Sequence, residues 1–284
     1  MTMNIKRLAL IFPAVLLAAF APQNLQAQGG RGGRGGPPPT AKASAPIDLT
    51  GYWTTVITED WHQRMMTAPK GDFGAGAPGA VILPGDRPAG SNIPWSAAGR
   101  KAALEWDPAK DEAAGEACKA YGAPGSLRLP THLRVSWQDD NTLKFETDFG
   151  NQTRLIHFAV PAAMGAAPAK MGLPAGEAPS YQGYSVGSWT AMGGRGSYER
   201  GGSLHVTTTN LKAGYYLKNG VPYTANAKLT EHFRVIDLPD SGQWISFSSM
   251  VEDPEYLTQP YIVTYQFKKL PDGSKWKPEP CSAK

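Results

Sequence analysis

Between Lys228 and Lys269 lie three consecutive runs of strand length, and each ends on explicit turn residues. The runs are Lys228 to Asp237, Gln243 to Glu252 and Pro260 to Lys269. Pro239-Asp240-Ser241-Gly242 and Asp253-Pro254 separate them, and Pro271-Asp272-Gly273 follows the last. Pro, Asp, Ser and Gly supply the turn backbones between and after them, so three long strands are predicted here. Asp253-Pro254 accordingly reads as a turn and not as a catalytic acid.

The same signal recurs upstream. Gly51 to Thr58 is rich in β-branched and aromatic residues and reads as a first strand. Leu133, Val135 and Trp137 alternate with His132, Arg134 and Ser136; after Asp139-Asp140-Asn141, Leu143 and Phe145 alternate with Lys144 and Glu146. Further strands are predicted over Thr153 to Val160, Tyr184 to Met192 and Ser203 to Asn210, and Asn219-Gly220 marks a tight hairpin. Two short helices are expected, one after the N-cap Ser96 over Ala97 to Trp106 and one from Pro108 to about Tyr121. The Gly- and Pro-rich stretches Thr67 to Trp95 and Pro161 to Ser180 read as long loops. The fold class is therefore mainly β, about nine mostly antiparallel strands, and so many twisted strands curl into a barrel or a strongly curved sandwich.

The amino terminus divides into two non-globular pieces. Lys6-Arg7, the uncharged apolar run Leu8 to Phe20 and the small residue Ala27 form the three parts of a cleaved export signal, residues 1–27, and the run is too short to span a bilayer. Residues 28–47 form a Gly/Arg/Pro arm that is expected to be flexible, and a single barrel domain is expected over 48–284. The formal charge of +4 depends on five basic residues ahead of Asp48, and without them the remainder carries −1. The electrostatic footprint of a nucleic-acid binder is thus missing from the domain, and no nucleic-acid partner and no membrane span are expected. Cys118 and Cys281, the only cysteines, are expected to pair in an oxidising compartment, periplasmic or extracellular.

Several motif matches lack the context that would make them chemistry. Gly183-Tyr184-Ser185-Val186-Gly187 spells a nucleophile elbow, but a strand pattern continues through Trp189 and no helix follows. Gly74 to Gly79 spells a dinucleotide fingerprint with Pro78 inside the turn, and the loop Gly193 to Gly196 lacks a phosphate-loop ending. His62, His132, His157, His205 and His232 show no metal-ligand spacing, although strands can bring two or three together; no metal and no cofactor are assigned.

Three segments, Gly183-Tyr184-Ser185-Val186-Gly187-Ser188-Trp189, Leu229 to Val235 and Glu252 to Pro260, resemble a broad group of uncharacterised exported bacterial proteins. Those proteins look like lipocalin or calycin-type barrels, and the likeness runs over most of the chain from Asp48. The resemblance implies a lipocalin-like antiparallel barrel and an exported location, and no catalytic residues. His232 and Tyr261 stand where Arg and Trp are expected in that group.

A barrel of this size can hold one ligand, so the leading expectation is an exported barrel binding a small apolar or aromatic molecule. Trp53, Trp137, Trp189, Tyr184 and Phe233 are its candidate contacts. Alternation further places Arg154 on a face with Ile156 and Phe158, and Glu231 on a face with Leu229 and Phe233, so these two charges are expected to meet each other or a polar ligand group inside. The alternatives are an acid-base enzyme of isomerase, hydratase or cyclase type in the same barrel, and a ligand-free envelope interaction module with a filled interior.

Overall fold

In the computed structural model, residues 38–56, 93–159, 171–192 and 201–283 are described. The segment read as an export signal, the arginine-glycine stretch, His62, the loop containing Gly74 to Gly79 and the loop Gly193 to Gly196 lie outside them. The strands are β1 (Gly51–Val56), β2 (His132–Asp139), β3 (Thr142–Thr147), β4 (Gln152–Phe158), β5 (Tyr184–Met192) and β6 (Gly201–Thr209). They continue with β7 (Gly214–Leu217), β8 (Val221–Tyr223), β9 (Lys228–Leu238), β10 (Gly242–Glu252) and β11 (Tyr261–Leu270). Nine of them close in the order β1-β11-β10-β9-β6-β5-β4-β3-β2, and β7 and β8 form a separate hairpin. Closure decides between barrel and sandwich in favour of the barrel.

Eight of the nine interfaces are antiparallel and one, β4 with β5, is parallel. A ring in which every neighbour reverses direction must have an even strand number, so a nine-strand closure demands a parallel pair. The chain from Phe158 therefore returns to the opposite end before Tyr184 begins β5. This departs from the eight-strand up-and-down meander of a lipocalin.

All described helices gather at one end of the barrel. They are α1 (Ala97–Leu104), α2 (Pro108–Ala113), a 3-10 turn (Ala117–Tyr121) and α3 (Ala123–Ser126). Ser96 caps α1 by accepting from the Gly99 N–H, and Asp107 caps α2 with Pro108 in its first turn. The second helix predicted from Pro108 to Tyr121 thus breaks into pieces at Ala114-Gly115, where Gly115 has φ +71°. The β7–β8 hairpin lies in the same cap, with Tyr216, Leu217, Val221 and Tyr223 buried against Ile93, Ala103 and Ala123. At its tip Gly220 has φ +83°, and a Cβ there would come within 2.0 Å of the Trp106 ring, so both backbone and space require glycine.

The opposite end is closed by residues 38–50. Lys42 N–H donates to the Asp140 carbonyl, Ala41 N–H to Asn141 Oδ1, and Ala41 and Leu49 enter the core. The barrel unit accordingly begins at Pro38, ten residues ahead of the boundary read at Asp48. Trp53 donates its indole N–H to the Leu49 carbonyl while the Lys269 ammonium sits 4.3 Å from the Trp53 ring centroid and donates to the Thr50 carbonyl. From Leu270 the tail climbs the outside. Trp276 packs on Tyr52 and under Arg134, and Cys281 is bonded to Cys118 in the cap, across a separation of 163 residues.

Candidate functional site

Alternation along β4, β5, β6 and β9 turns four polar side chains into the barrel near its capped end. Arg154 and Glu231 are 5% and 0% exposed. Arg154 Nε donates to Ser185 Oγ at 2.9 Å, Nη1 to Glu231 Oε1 at 3.0 Å, and Nη2 to Thr208 Oγ1 at 2.8 Å and to Glu231 Oε2. Ser185 and Thr208 bond each other at 2.8 Å. The guanidinium fork meets the carboxylate with two parallel bonds, the geometry that best offsets the desolvation of both ions. The space left beside this knot, between Ser126, Thr147, Gln152 and Gln182, is about 10 Å³, the room of one water molecule.

Among the described residues, rings occupy much of the rest of the interior. Phe145 meets Phe233 edge-on at 5.2 Å, Phe233 stacks on Phe247 at 4.7 Å, and Trp53 and Phe267 are fully buried beside them. The residues singled out as ligand contacts are therefore distributed over separate places. Trp53 and Phe233 belong to the packed middle. Trp137 and Trp189 form a cluster with Phe158 at the uncapped end, where the Trp189 indole donates to the Ala41 carbonyl at 2.9 Å. Tyr184 lies on the outer face, stacked on His157 at 5.0 Å, because Ser185 beside it takes the inward position. That same inward position removes Ser185 from any nucleophile elbow: it sits within a strand, fully buried and bonded to Arg154.

Sequence reasoning missed Asp148. It follows β3, is 4% exposed, and accepts from Thr131 Oγ1, the N–H groups of His132, Phe149 and Lys277, and His132 Nδ1. The turn residues that follow, Phe149-Gly150-Asn151, were its only sequence signal. Burial pushes the Asp148 carboxyl up, but His132 and the backbone donors outweigh it and hold it below the ordinary range. Its stabilising contribution is thus present above the unfolded-state pKa, about 3.9, and is lost as pH falls through the lower folded value. Asp148→Ala is expected to cost about 2 to 3 kcal/mol at neutral pH, since it strands several buried donors. In urea titrations across pH, the stability gap between wild type and Asp148→Asn should narrow below about pH 4; a gap that stays constant into acid would refute the assignment.

Two surface clefts flank the cap. One, of about 390 Å³, runs along the rim between the β8–β9 and β10–β11 connections and is lined by Asn226, Lys228, Glu252, Asp253, Leu257 and Gln259 among others. Asp253 shapes it: its carboxylate accepts from Thr224 N–H and Oγ1 and from the N–H groups of Glu255 and Tyr256, which fixes the turn read from Asp253-Pro254. The other, of about 350 Å³, lies between α1, α2 and Tyr215. There Asp111 accepts from Lys119 Nζ at 2.7 Å and Tyr215 OH at 2.8 Å. Burial and the Asp111 carboxylate push the Tyr215 hydroxyl up; Asp111 and Glu116 raise Lys119 despite its burial, and Lys119 and Lys212 hold Glu116 down. Acid-base catalysts need pKa values brought toward neutrality. These groups move the other way, as structural ion pairs do.

No described helix is long and apolar enough to cross a membrane, and no cluster of three or more metal-ligating side chains occurs among the described residues. Comparison with protein-family models, with curated proteins and with solved structures found no match in any of the three. The class the geometry defines is a closed nine-strand barrel, capped at one end, strapped at the other and, among the described residues, packed with aromatic and aliphatic side chains between.

Proposed function

We propose that the chain is an exported binding barrel that recognises a small, largely apolar molecule on the outside of its capped rim, with the interior serving as scaffold. The observation that carries this reading is volume: about 10 Å³ remains beside Arg154, against about 390 Å³ in the rim groove. Ligand sites commonly measure 300 to 1,000 Å³, with an apolar floor and a few placed polar groups. Leu257, Pro254 and Pro260 supply such a floor here, and the Asn226 amide and the Lys228–Glu252 pair supply the polar groups. Export rests on the leader pattern of residues 1–27, with the Cys118–Cys281 bond in support.

A second reading keeps the ligand inside, and one observation favours it. Trp137, Phe158 and Trp189 form an aromatic cluster directly beneath the strap of residues 38–50, so a small aromatic compound would bind there if the strap lifted. Native mass spectrometry of protein isolated from the periplasm separates the two. A co-purifying molecule is expected, absent when Gln259→Trp fills the groove and retained in Trp137→Leu. The opposite pattern would move the site into the barrel, and an empty wild-type protein would defeat both readings.

A further inference from the structure

We propose that His205 and His232 form a two-imidazole site on the outer wall of the barrel that takes a single transition-metal ion of the Zn²⁺, Ni²⁺ or Cu²⁺ class. The two residues are direct partners in the β6–β9 ladder. Leu204 and Val206 on one strand and Glu231 and Phe233 on the other point inward, so both imidazoles stand on the same outer face. Their rings lie 4.6 Å apart at an interplanar angle of 26°.

A chelated ion sits about 2 Å from each imidazole nitrogen, so its two nitrogens lie within about 4 Å of one another. Rings already stacked side by side reach that arrangement by side-chain rotation, with the backbone held by the ladder on both sides. Neutral imidazole is the ligand that late first-row ions select, whereas Ca²⁺ and Mg²⁺ seek oxygen. The neighbourhood agrees with that choice. Thr207 and Thr230 form the next rung, Ser188 and Ser248 flank the pair along its own rung, and Arg234 follows on β9. Lys228, further along β9, also faces His205. Together these positions supply hydroxyls and two cations, and no carboxylate that would hold a hard ion. Water completes the coordination, which leaves positions open for an exogenous ligand.

The arrangement is not legible from spacing, because the two histidines are 27 positions apart and only the ladder registers them. The other described histidines are engaged elsewhere: His132 with Asp148, and His157 stacked on Tyr184.

The test is calorimetric titration of Zn²⁺ into protein prepared without a histidine tag. One equivalent is expected to bind near neutral pH, and binding should be lost at about pH 5, where imidazoles are protonated. His205→Gln and His232→Gln should each abolish it, while His157→Gln leaves it intact. Both target side chains are partly or fully solvent-facing, and circular dichroism of each variant confirms folding. Failure of the wild-type protein to bind Zn²⁺, or binding that survives either single variant, would overturn the proposal.

Discussion

Arg154→Met and Glu231→Gln are each expected to lower the unfolding free energy by about 3 to 5 kcal/mol, the cost of leaving one buried ion without its partner. The expectation follows from burial and from how completely the guanidinium is engaged. Arg154 bonds Glu231 through both terminal nitrogens, and its remaining contacts go to Ser185 and Thr208. At most one water molecule is at hand to compensate, since the adjacent space is about 10 Å³. Because the penalty belongs to the orphaned charge and not to the pair as such, the double variant Arg154→Met/Glu231→Leu should recover most of the loss. Ser185 and Thr208 would then still satisfy each other. Urea denaturation followed by circular dichroism measures all four proteins. Single variants within about 1 kcal/mol of wild type would mean that the pair is solvated, since exposed pairs contribute no more than that.

Removing the disulfide, by Cys118→Ala with Cys281→Ala, is expected to cost up to about 5 kcal/mol, the loop-entropy value for so long a closure. The bond spans 163 residues and joins the C-terminal tail to the 3-10 turn of the cap. The loss should be local in structure even though it is global in stability. The tail runs outside the barrel, held by Trp276 against Tyr52 and Arg134 and by Lys277 and Glu279 on Asp148, so the barrel ladders do not depend on it. Far-UV circular dichroism should therefore stay unchanged below the transition, while amide exchange accelerates from about Lys277 onward and around Cys118. Equal stability of oxidised and double-alanine proteins would show that these non-covalent contacts alone hold the tail.

The sequence carried the strands and the inward placement of Arg154 and Glu231, because strand runs and the phase of side chains along them are local, and β9, β10 and β11 are bounded by Pro, Asp and Gly at the turns. Arg154 and Glu231 stood out because each interrupts an apolar face. Of the two partners left open for them, each other or a polar ligand group, the ring order β9-β6-β5-β4 brings them to each other. Two features were not legible, and each depends on distance in three dimensions. The parallel β4–β5 pair comes from ring closure with an odd number of strands, which no window of sequence records. The filled interior comes from summed ring volumes, since alternation reads the same in a hollow barrel. Tyr184, expected as an interior contact, is instead a matter of local phase: Ser185, its neighbour, holds the inward position. The disulfide followed from cysteine count and the expected compartment, whereas the Asp148 hub that lies under the same tail is a long-range convergence of backbone and side-chain donors.

The central claim, that the barrel is a filled scaffold and recognition is external, is tested most directly by a crystal structure determined under xenon pressure. Xenon enters dry apolar cavities of about 150 Å³. The account predicts no xenon among Phe145, Phe233, Phe247 and Phe267, and none beneath the strap at Trp137 and Trp189. Ordered xenon at either place would contradict it and return the ligand to the interior.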